Sequence, residues 1–299
     1  MTKRLLLVIV FLLIFCLNSF FVATADENVW ESYEVRRPWA LGIVIPDGAP
    51  TSDGETVKWD SSSNLTVVLN IPRINMTDGT IYAIVSVMTE SGVVLQAAAG
   101  IEKGDSCWRS YAMYVRGVYS GKKEYVPVLL GSPPTFLPGD SAIISIYSGF
   151  SDEEPAWFVR IINPSSREEV LVRFFSDGSS RFMRGDHEVV ALESYTKNEE
   201  VFRNMGEMVL ESVFINGKRI LGGWYVSDGQ VFMSNLLFEV GAGEPVPSFL
   251  YLVNSNMSSA VWGYSHGSWG QTENNSFLLL LGALLLSILV IIFVVVRIR

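Results

Sequence analysis

A single uncharged amide lies in the middle of an otherwise apolar run. The run covers residues 93–101 and places Gln96 among aliphatic and small side chains. Its length and composition predict a buried β-strand. A buried Gln must find partners for one carbonyl and two N–H donors, or it costs a few kcal/mol. Most such amides complete a hydrogen-bond network, whereas a minority face a cleft and stabilise negative charge that develops in a reaction.

The second candidate catalytic group is a carboxylate that follows another apolar run. Glu193 comes directly after residues 189–192, and Glu188 precedes the same run. Burial raises the pKa of a carboxyl group in general, and a tuned carboxylate can take a proton from water. The alternative is that Glu193 ends a strand and faces solvent, as most Glu side chains do. The residues alone favour that alternative.

Other kinds of catalytic site find little support in the sequence. The two histidines, His187 and His266, are too few for a zinc motif, and no phosphate-binding loop occurs, so neither a metal nor another cofactor is expected. Residues 263–267 fit the G-x-S-x-G pattern of a serine nucleophile, but that pattern works at a strand-to-helix turn, and no helix is predicted there. Cys107 has no histidine base near it in the sequence.

The segments that must position Gln96 and Glu193 are predicted to be short strands. Apolar or alternating runs recur between Gly, Pro and Asn turns, and the pairs Asn216-Gly217 and Asp228-Gly229 predict hairpins. No 3.6-residue stripe is sustained outside the C-terminal apolar run. The class is therefore all-β, an antiparallel sandwich or a barrel. The predicted strands are residues 39–45, 64–71, 81–88, 93–101, 111–115, 125–130, 141–147, 156–163 and 169–175.

Both ends of the chain predict segments outside this domain. Residues 1–25 have a basic start, an apolar core and an Ala-x-Ala step, which indicates a cleaved secretory signal peptide. Residues 277–296 are 20 positions without a charge, enough to cross about 30 Å of hydrocarbon as a transmembrane helix. The two arginines within residues 297–299 favour a cytoplasmic end. The prediction is a single-pass protein of the cell membrane with its N-terminus outside.

The part predicted to lie outside the cell divides in two. Residues 26–254 form the β-domain, and residues 255–276, rich in Ser, Gly and aromatic side chains, form a stalk. A net charge of −9 argues against a nucleic-acid partner. Contact with membrane lipid is expected through the one transmembrane helix. N-x-S/T sequons, which make the domain a candidate glycoprotein, start at Asn64, Asn75, Asn256 and Asn274.

The order of these segments resembles that of the glutamic peptidases, or eqolisins, which are acid proteases with a Gln/Glu dyad on a concanavalin-like β-sandwich of jelly-roll type. Gln96 follows a Leu, as the catalytic Gln of the family does, and Glu193 stands between three apolar residues and a Ser-Tyr pair. Tyr82 lies fourteen positions before Gln96, where the family has an aromatic residue. The resemblance extends over roughly residues 39–234.

This resemblance implies an extracellular, membrane-anchored acid endopeptidase that uses neither a metal nor a covalent intermediate. Glu193 would activate a water molecule, and Gln96 would donate to the oxyanion of the tetrahedral intermediate. Trp39, Tyr82 and Tyr114 would line a groove for an extended polypeptide substrate.

The sequence also departs from the family pattern. Ser86 and Val115 stand at positions that are acidic in the family, and Glu188 replaces Glu193 as the partner of Gln96 if the register is shifted. These departures favour an alternative, a non-catalytic concanavalin-like module that binds glycan or peptide. Retention of both Gln96 and Glu193 favours the enzyme. A purely structural envelope domain is a third hypothesis, and it needs no cleft.

Overall fold

Antiparallel strands make up nearly all of the structure. It is a computed structural model, and it describes residues 39–116, 124–174, 178–183, 188–196, 198–227, 250–256 and 259–264. In chain order the strands within these residues are β1 (Trp39–Val44), β2 (Asn64–Asn70), β3 (Thr80–Met88), β4 (Val94–Glu102), β5 (Trp108–Arg116), β6 (Glu124–Phe136), β7 (Ser141–Ser151), β8 (Glu154–Asn163), β9 (Glu168–Phe174), β10 (Glu188–Ser194), β11 (Met208–Ile215), β12 (Lys218–Arg219), β13 (Tyr225–Ser227), β14 (Leu250–Asn256) and β15 (Ser259–Tyr264). The helical elements described are a 3₁₀ turn at Trp59–Ser61 and a one-turn helix, α1, at Glu199–Phe202.

The strands form two sheets. One has seven strands in the order β13-β1-β10-β3-β4-β5-β6, and the other has eight in the order β14-β15-β11-β2-β7-β8-β9, with β12 paired to β11. The described strand pairs are antiparallel. This arrangement confirms the all-β prediction and is a β-sandwich.

The main core lies between the two sheets because alternate residues of each strand point to opposite sides. On β3, Ile81, Ala83 and Val85 are buried in one large apolar cluster with Leu65 and Val67 of β2. We call the other side of the seven-stranded sheet, turned away from the eight-stranded sheet, the outer face. Residues of the outer face include Tyr82 and Ile84 of β3, which belong to a separate small cluster.

The structure contains the Asn-Gly hairpin turn that the sequence predicts. Asn216 and Gly217 both have positive φ, 50° and 77°, and join β11 to β12. Consecutive positive φ values are what the two-residue turn of a tight hairpin requires, and Asn-Gly adopts them at low cost. The other predicted Asp-Gly turn, at Asp228, lies outside the described residues.

The structure differs from the sequence prediction in the region proposed as a stalk. Residues 250–256 and 259–264 form β14 and β15, and β15 pairs with β11 inside the eight-stranded sheet. Trp262 is fully buried, and its indole N–H donates to the carbonyl of Leu41 at 2.7 Å. Burial of an indole with its N–H satisfied is a strong packing contribution, and composition alone did not reveal it. Residues 265–276 lie outside the described part of the chain.

The signal peptide at residues 1–25 and the span at residues 277–296 both lie outside the described residues. Within the residues that are described, no helix has the length and apolarity needed to cross a bilayer.

Candidate functional site

Gln96 lies in the middle of β4 on the outer face. Its neighbours Leu95 and Ala97 point into the core between the sheets, so the alternation of the strand turns Gln96 outward. It pairs with Ser86 on β3 and with Met113 on β5. Only 4% of Gln96 is exposed. The amide is therefore buried, as the sequence predicts, but outside the main core.

Two polar atoms in this region have no hydrogen-bond partner among the described residues. They are the side-chain carbonyl oxygen of Gln96 and the hydroxyl oxygen of Ser86, which is also 4% exposed. A buried polar atom without a partner costs about 1–3 kcal/mol, so such atoms are rare in native proteins and call for an explanation. We refer to these two residues as the Ser86–Gln96 pair.

Glu193 lies elsewhere on the same face. It is positioned on β10 between Ala40 of β1 and Tyr82 of β3. Only 2% of it is exposed, so the solvent-facing alternative does not hold. The hydroxyl of Tyr195 donates to its carboxylate at 2.5 Å. Tyr195 follows two residues after Glu193, and the period of a strand places both on one side.

Tyr195 is one of three aromatic rings that pack together, and we call Tyr82, Tyr111 and Tyr195 the tyrosine cluster. Tyr82 makes edge-to-face contacts with Tyr111 at 5.1 Å and with Tyr195 at 5.9 Å between ring centroids. The hydroxyl of Tyr111 donates to Glu102 at 2.9 Å. A Cβ built on Gly100 would lie 2.4 Å from Cδ1 of Tyr82 and 2.7 Å from Cε2 of Tyr111. The rings thus close over a position that only glycine fits.

The sheet register separates Gln96 from Glu193. Gln96 pairs with Ser86, whereas Glu193 pairs with Tyr82, four residues earlier on β3. Four residues correspond to about 14 Å along a strand, and two strand spacings add about 10 Å across the sheet. Glu193 also bonds to Tyr195, which lies further from Gln96 along β10. The two predicted catalytic residues share a face, but the register leaves them too far apart to hold one water molecule between them.

Glu188 occupies a different place on β10. Its backbone pairs with Val44, next to an irregularity in the β1–β10 ladder. At this end of the β10–β3 ladder, the last pair joins Val190 to Val85, the residue before Ser86. The backbone of Glu188 therefore lies at the end of β10 nearest to the Ser86–Gln96 pair, about two strand spacings, or about 10 Å, from Gln96.

The predicted substrate-binding residues do not all share the outer face. Trp39 begins β1 opposite Ser194, and Tyr82 belongs to the tyrosine cluster. Tyr114 is 7% exposed and lies in the main core, with its ring 5.8 Å from that of Phe174. It pairs with Leu95, so it faces the opposite side from Gln96.

Sequence reasoning missed residues that do lie on the outer face. Tyr111 and Tyr195 are the main ones, together with Glu102, which accepts from Tyr111. A period-two rule counted from Glu193 would have found Tyr195. Tyr111 becomes visible only once β5 is paired in register with β4.

A separate depression of about 550 Å³ lies beside the β11–β12 hairpin. Its lining includes Lys218, which contacts Asp53 at 2.7 Å and Glu55 at 2.5 Å. Hydrogen bonds from Lys218 and Thr51 lower the pKa of Asp53 to about 2. These charges are already paired and lie away from the outer face, so we do not assign chemistry to this depression.

Comparisons with known proteins give little guidance. No family model and no curated protein matches the chain. A solved CBM2 module of the evolved Dit of Lactobacillus casei BL23 phage J-1 matches with a TM-score of 0.27 and 12% identity over 51% of this chain. An alginate lyase from Klebsiella pneumoniae matches with a TM-score of 0.28 and 7% identity over 70% of this chain. The matches cover 64% and 61% of those two chains. Similarity this low carries no argument about activity.

Proposed function

We propose that this chain is an acid endopeptidase of the glutamic type, with Gln96 at the centre of its site on a concanavalin-like sandwich. The observation that carries the proposal is the buried amide of Gln96 on a face turned away from the core, where its carbonyl oxygen has no partner among the described residues. A buried amide held in this way can bind the reacting water without being titrated itself.

The carboxylate partner in this proposal is Glu188. Glu193 is supported less well because it is fixed to Tyr195 and offset by four residues along β3. Glu188 lies at the end of β10 that the register brings nearest to Gln96. The backbones of Glu188 and Gln96 are separated by two strand spacings, or about 10 Å.

The reaction needs no group beyond these side chains and water. The carboxylate takes one proton from the water while the water oxygen forms a bond to the scissile carbonyl carbon. The amide N–H of Gln96 donates to the oxyanion that results. The carboxyl group then returns the proton to the amine nitrogen as the C–N bond breaks. Since Gln does not titrate, one carboxyl group sets the pH profile, and hydrolysis is lost as the pH falls below the pKa at which that group becomes protonated.

The proposal keeps the location that the sequence predicts, anchored at the cell membrane with the β-sandwich outside. The substrate is an extended polypeptide laid across the outer face. A strand of substrate presents successive residues about 3.4 Å apart, so the tyrosine cluster would contact it about four residues from the bond that is cleaved.

The test is digestion of an unfolded protein by the purified full-length chain between about pH 2 and 6. Gln96→Ala is expected to lower kcat about 100- to 1000-fold, the effect of losing an oxyanion donor. Glu188→Gln is expected to lower it at least about 100-fold. Glu193→Gln, which keeps the shape of the side chain, is the matched control and is expected to leave most of the activity. Circular dichroism of each variant checks that the fold is retained.

The results identify the carboxylate partner and decide whether the peptidase proposal stands. Loss of activity in Glu193→Gln but not in Glu188→Gln would restore Glu193 as the partner, as the sequence resemblance implies. Equal cleavage by the wild type and all variants, or cleavage by none, would remove the peptidase proposal.

The tyrosine cluster favours a second candidate, a non-catalytic module that binds glycan or peptide. Tyr82 and Tyr111 are half-buried on the outer face, and aromatic rings beside carboxylates suit ligands with both apolar and polar parts. In this case, Tyr111→Ala weakens binding to a glycan or peptide array, whereas Gln96→Ala has no effect on it. Retained array binding in both variants would remove this candidate.

A further inference from the structure

The position of Ser86 relative to Gln96 indicates a function for its hydroxyl group. Ser86 and Gln96 are directly opposite each other in the β3–β4 ladder, so both side chains project from the same side of the sheet. Side chains opposite each other in an antiparallel pair have their Cβ atoms about 4.5–5.5 Å apart. The two unpaired oxygens therefore belong to one small region.

The described neighbours of this pair offer no hydrogen-bond donor. Gln96 has Met113 beside it on β5, and the next residues on the same side are Ile84 and Met88 on β3 and Val94 and Ala98 on β4. None of these side chains can donate a hydrogen bond to the carbonyl of Gln96. A small polar site enclosed by apolar side chains is the setting in which proteins hold a buried water.

The chemistry of the two oxygens is complementary to that of one water molecule. The carbonyl oxygen of Gln96 only accepts, whereas the hydroxyl of Ser86 can donate as well as accept. A water between them can donate one hydrogen to Gln96 and accept the hydrogen of Ser86. It keeps its second hydrogen and one lone pair for other groups.

We propose that Ser86 and Gln96 together bind one water molecule, and that Ser86 is a positioning residue that orients this water as the nucleophile. The catalytic half of this inference rests on the proposed function, whereas the binding half rests on the two unpaired oxygens. The free hydrogen of the water goes to the carboxylate, and its free lone pair forms the new bond to the substrate carbonyl carbon. No further reactant is needed.

The binding half is tested by the melting temperature of the full-length chain. Removing an unpaired buried hydroxyl, as a Ser→Ala change does, raises stability, whereas removing a hydroxyl that binds a buried water lowers it. The expected result is therefore a lower melting temperature for Ser86→Ala and a smaller change for Ser86→Thr, which keeps the hydroxyl. Ser110→Ala calibrates the loss of a satisfied hydrogen bond, because Ser110 is buried and donates to Pro134 at 2.7 Å.

A double variant tests whether the two oxygens share the water. Gln96→Met replaces the amide with an apolar side chain of similar length. Once it is present, Ser86→Ala is expected to change the melting temperature by less than it does in the wild type. A higher melting temperature for Ser86→Ala alone, or full additivity in the double variant, overturns the shared water.

The positioning half is tested by the kinetics of peptide hydrolysis. Ser86→Ala is expected to lower kcat about 10- to 100-fold with KM within about twofold, because the nucleophile is misplaced while the substrate still binds. Ser86→Thr is expected to recover part of the loss. An unchanged kcat in a variant with the expected melting behaviour overturns the positioning role alone. A wild-type chain that cleaves nothing overturns the proposed function and the positioning role together, and the melting data still decide on the water.

Discussion

Two polar regions on one face of the same sheet differ in how well their hydrogen bonds are satisfied. The Ser86–Gln96 pair and the Glu193 region are both nearly closed to solvent. Glu193 accepts a hydrogen bond from Tyr195, which is one of three packed rings. In the Ser86–Gln96 pair, by contrast, two buried oxygens have no partner in the described part of the chain.

Burial of a polar group is therefore not enough to identify a catalytic residue. A carboxylate with its hydrogen bonds made and its neighbours packed stabilises the fold and resists movement. An amide left with an unpaired oxygen costs stability, and proteins keep such a cost mainly where another molecule offsets it. On this ground Gln96 is the stronger candidate, although the resemblance in sequence implies equal roles for Gln96 and Glu193.

Among the variants that test this comparison, Gly100→Ala is expected to lower the free energy of unfolding the most. Its Cβ would overlap the rings of Tyr82 and Tyr111, so both rings must move. Overpacking of this kind costs typically about 1–3 kcal/mol in the free energy of unfolding, measured by urea denaturation. Gly149→Ala is the matched control, since it is also a strand glycine but its Cβ would lie 3.1 Å from one atom of Phe158.

Gly149→Ala is expected to stay within about 1 kcal/mol of the wild type, because the chain-entropy gain of alanine offsets a mild contact. Equal losses in the two variants would mean that the tyrosine cluster is loosely packed. The tyrosine cluster would then no longer differ from the Ser86–Gln96 pair in being tightly packed.

An effect no larger than that of Gly100→Ala is expected from Tyr195→Phe. The change removes one hydroxyl and deprives the buried carboxylate of Glu193 of that donor. Loss of a hydrogen bond to a buried charged group costs about 1–3 kcal/mol in the free energy of unfolding, measured by urea denaturation. Tyr111→Phe is the control, because its partner Glu102 is only half-buried and water can replace the hydroxyl. A loss in Tyr195→Phe no larger than the control would show that Glu193 does not depend on this bond.

Much of the local structure could be predicted because it depends on neighbours in sequence. β3 and β4 are apolar runs joined by a Gly-containing turn, which brings Ser86 opposite Gln96 as a hairpin. The side of the sheet on which Gln96 lies follows from the alternation around it. The fold class follows from the many strands and the turns between them.

The rest depended on pairing between distant segments. No local signal sets the register of β10 against β3, yet that register decides whether Glu188 or Glu193 lies nearer Gln96. A shift of one residue also moves a side chain to the other face. Tyr114 illustrates this, since its pairing with Leu95 turns it into the core.

The smallest effect on stability is expected at Asp140, which lies away from the outer face. Because this effect depends on pH, it bears on any assay of hydrolysis in acid. Asp140 is in the turn before β7 and accepts from the backbone N–H of Leu137 and from the Asn163 amide, both at 2.9 Å. Burial alone raises the pKa of Asp140, but the hydrogen bonds from Leu137, Asn163 and Ser165 outweigh it and hold the pKa below its usual 3.8.

Because the folded-state pKa is lowered, Asp140 contributes stability that is complete above about pH 4 and disappears as the pH falls through the folded-state value. Asp140→Asn is expected to lower the free energy of unfolding at pH 7 by less than about 1 kcal/mol, since water screens this half-exposed group. The gap between variant and wild type should close as melting is followed down to about pH 2. Asp60→Asn, at an exposed aspartate of the 3₁₀ turn, supplies the control for a simple change of charge. A gap of constant size across that range would exclude titration of Asp140 as its cause, and a loss of hydrolysis in acid would then have to be sought at the outer face itself.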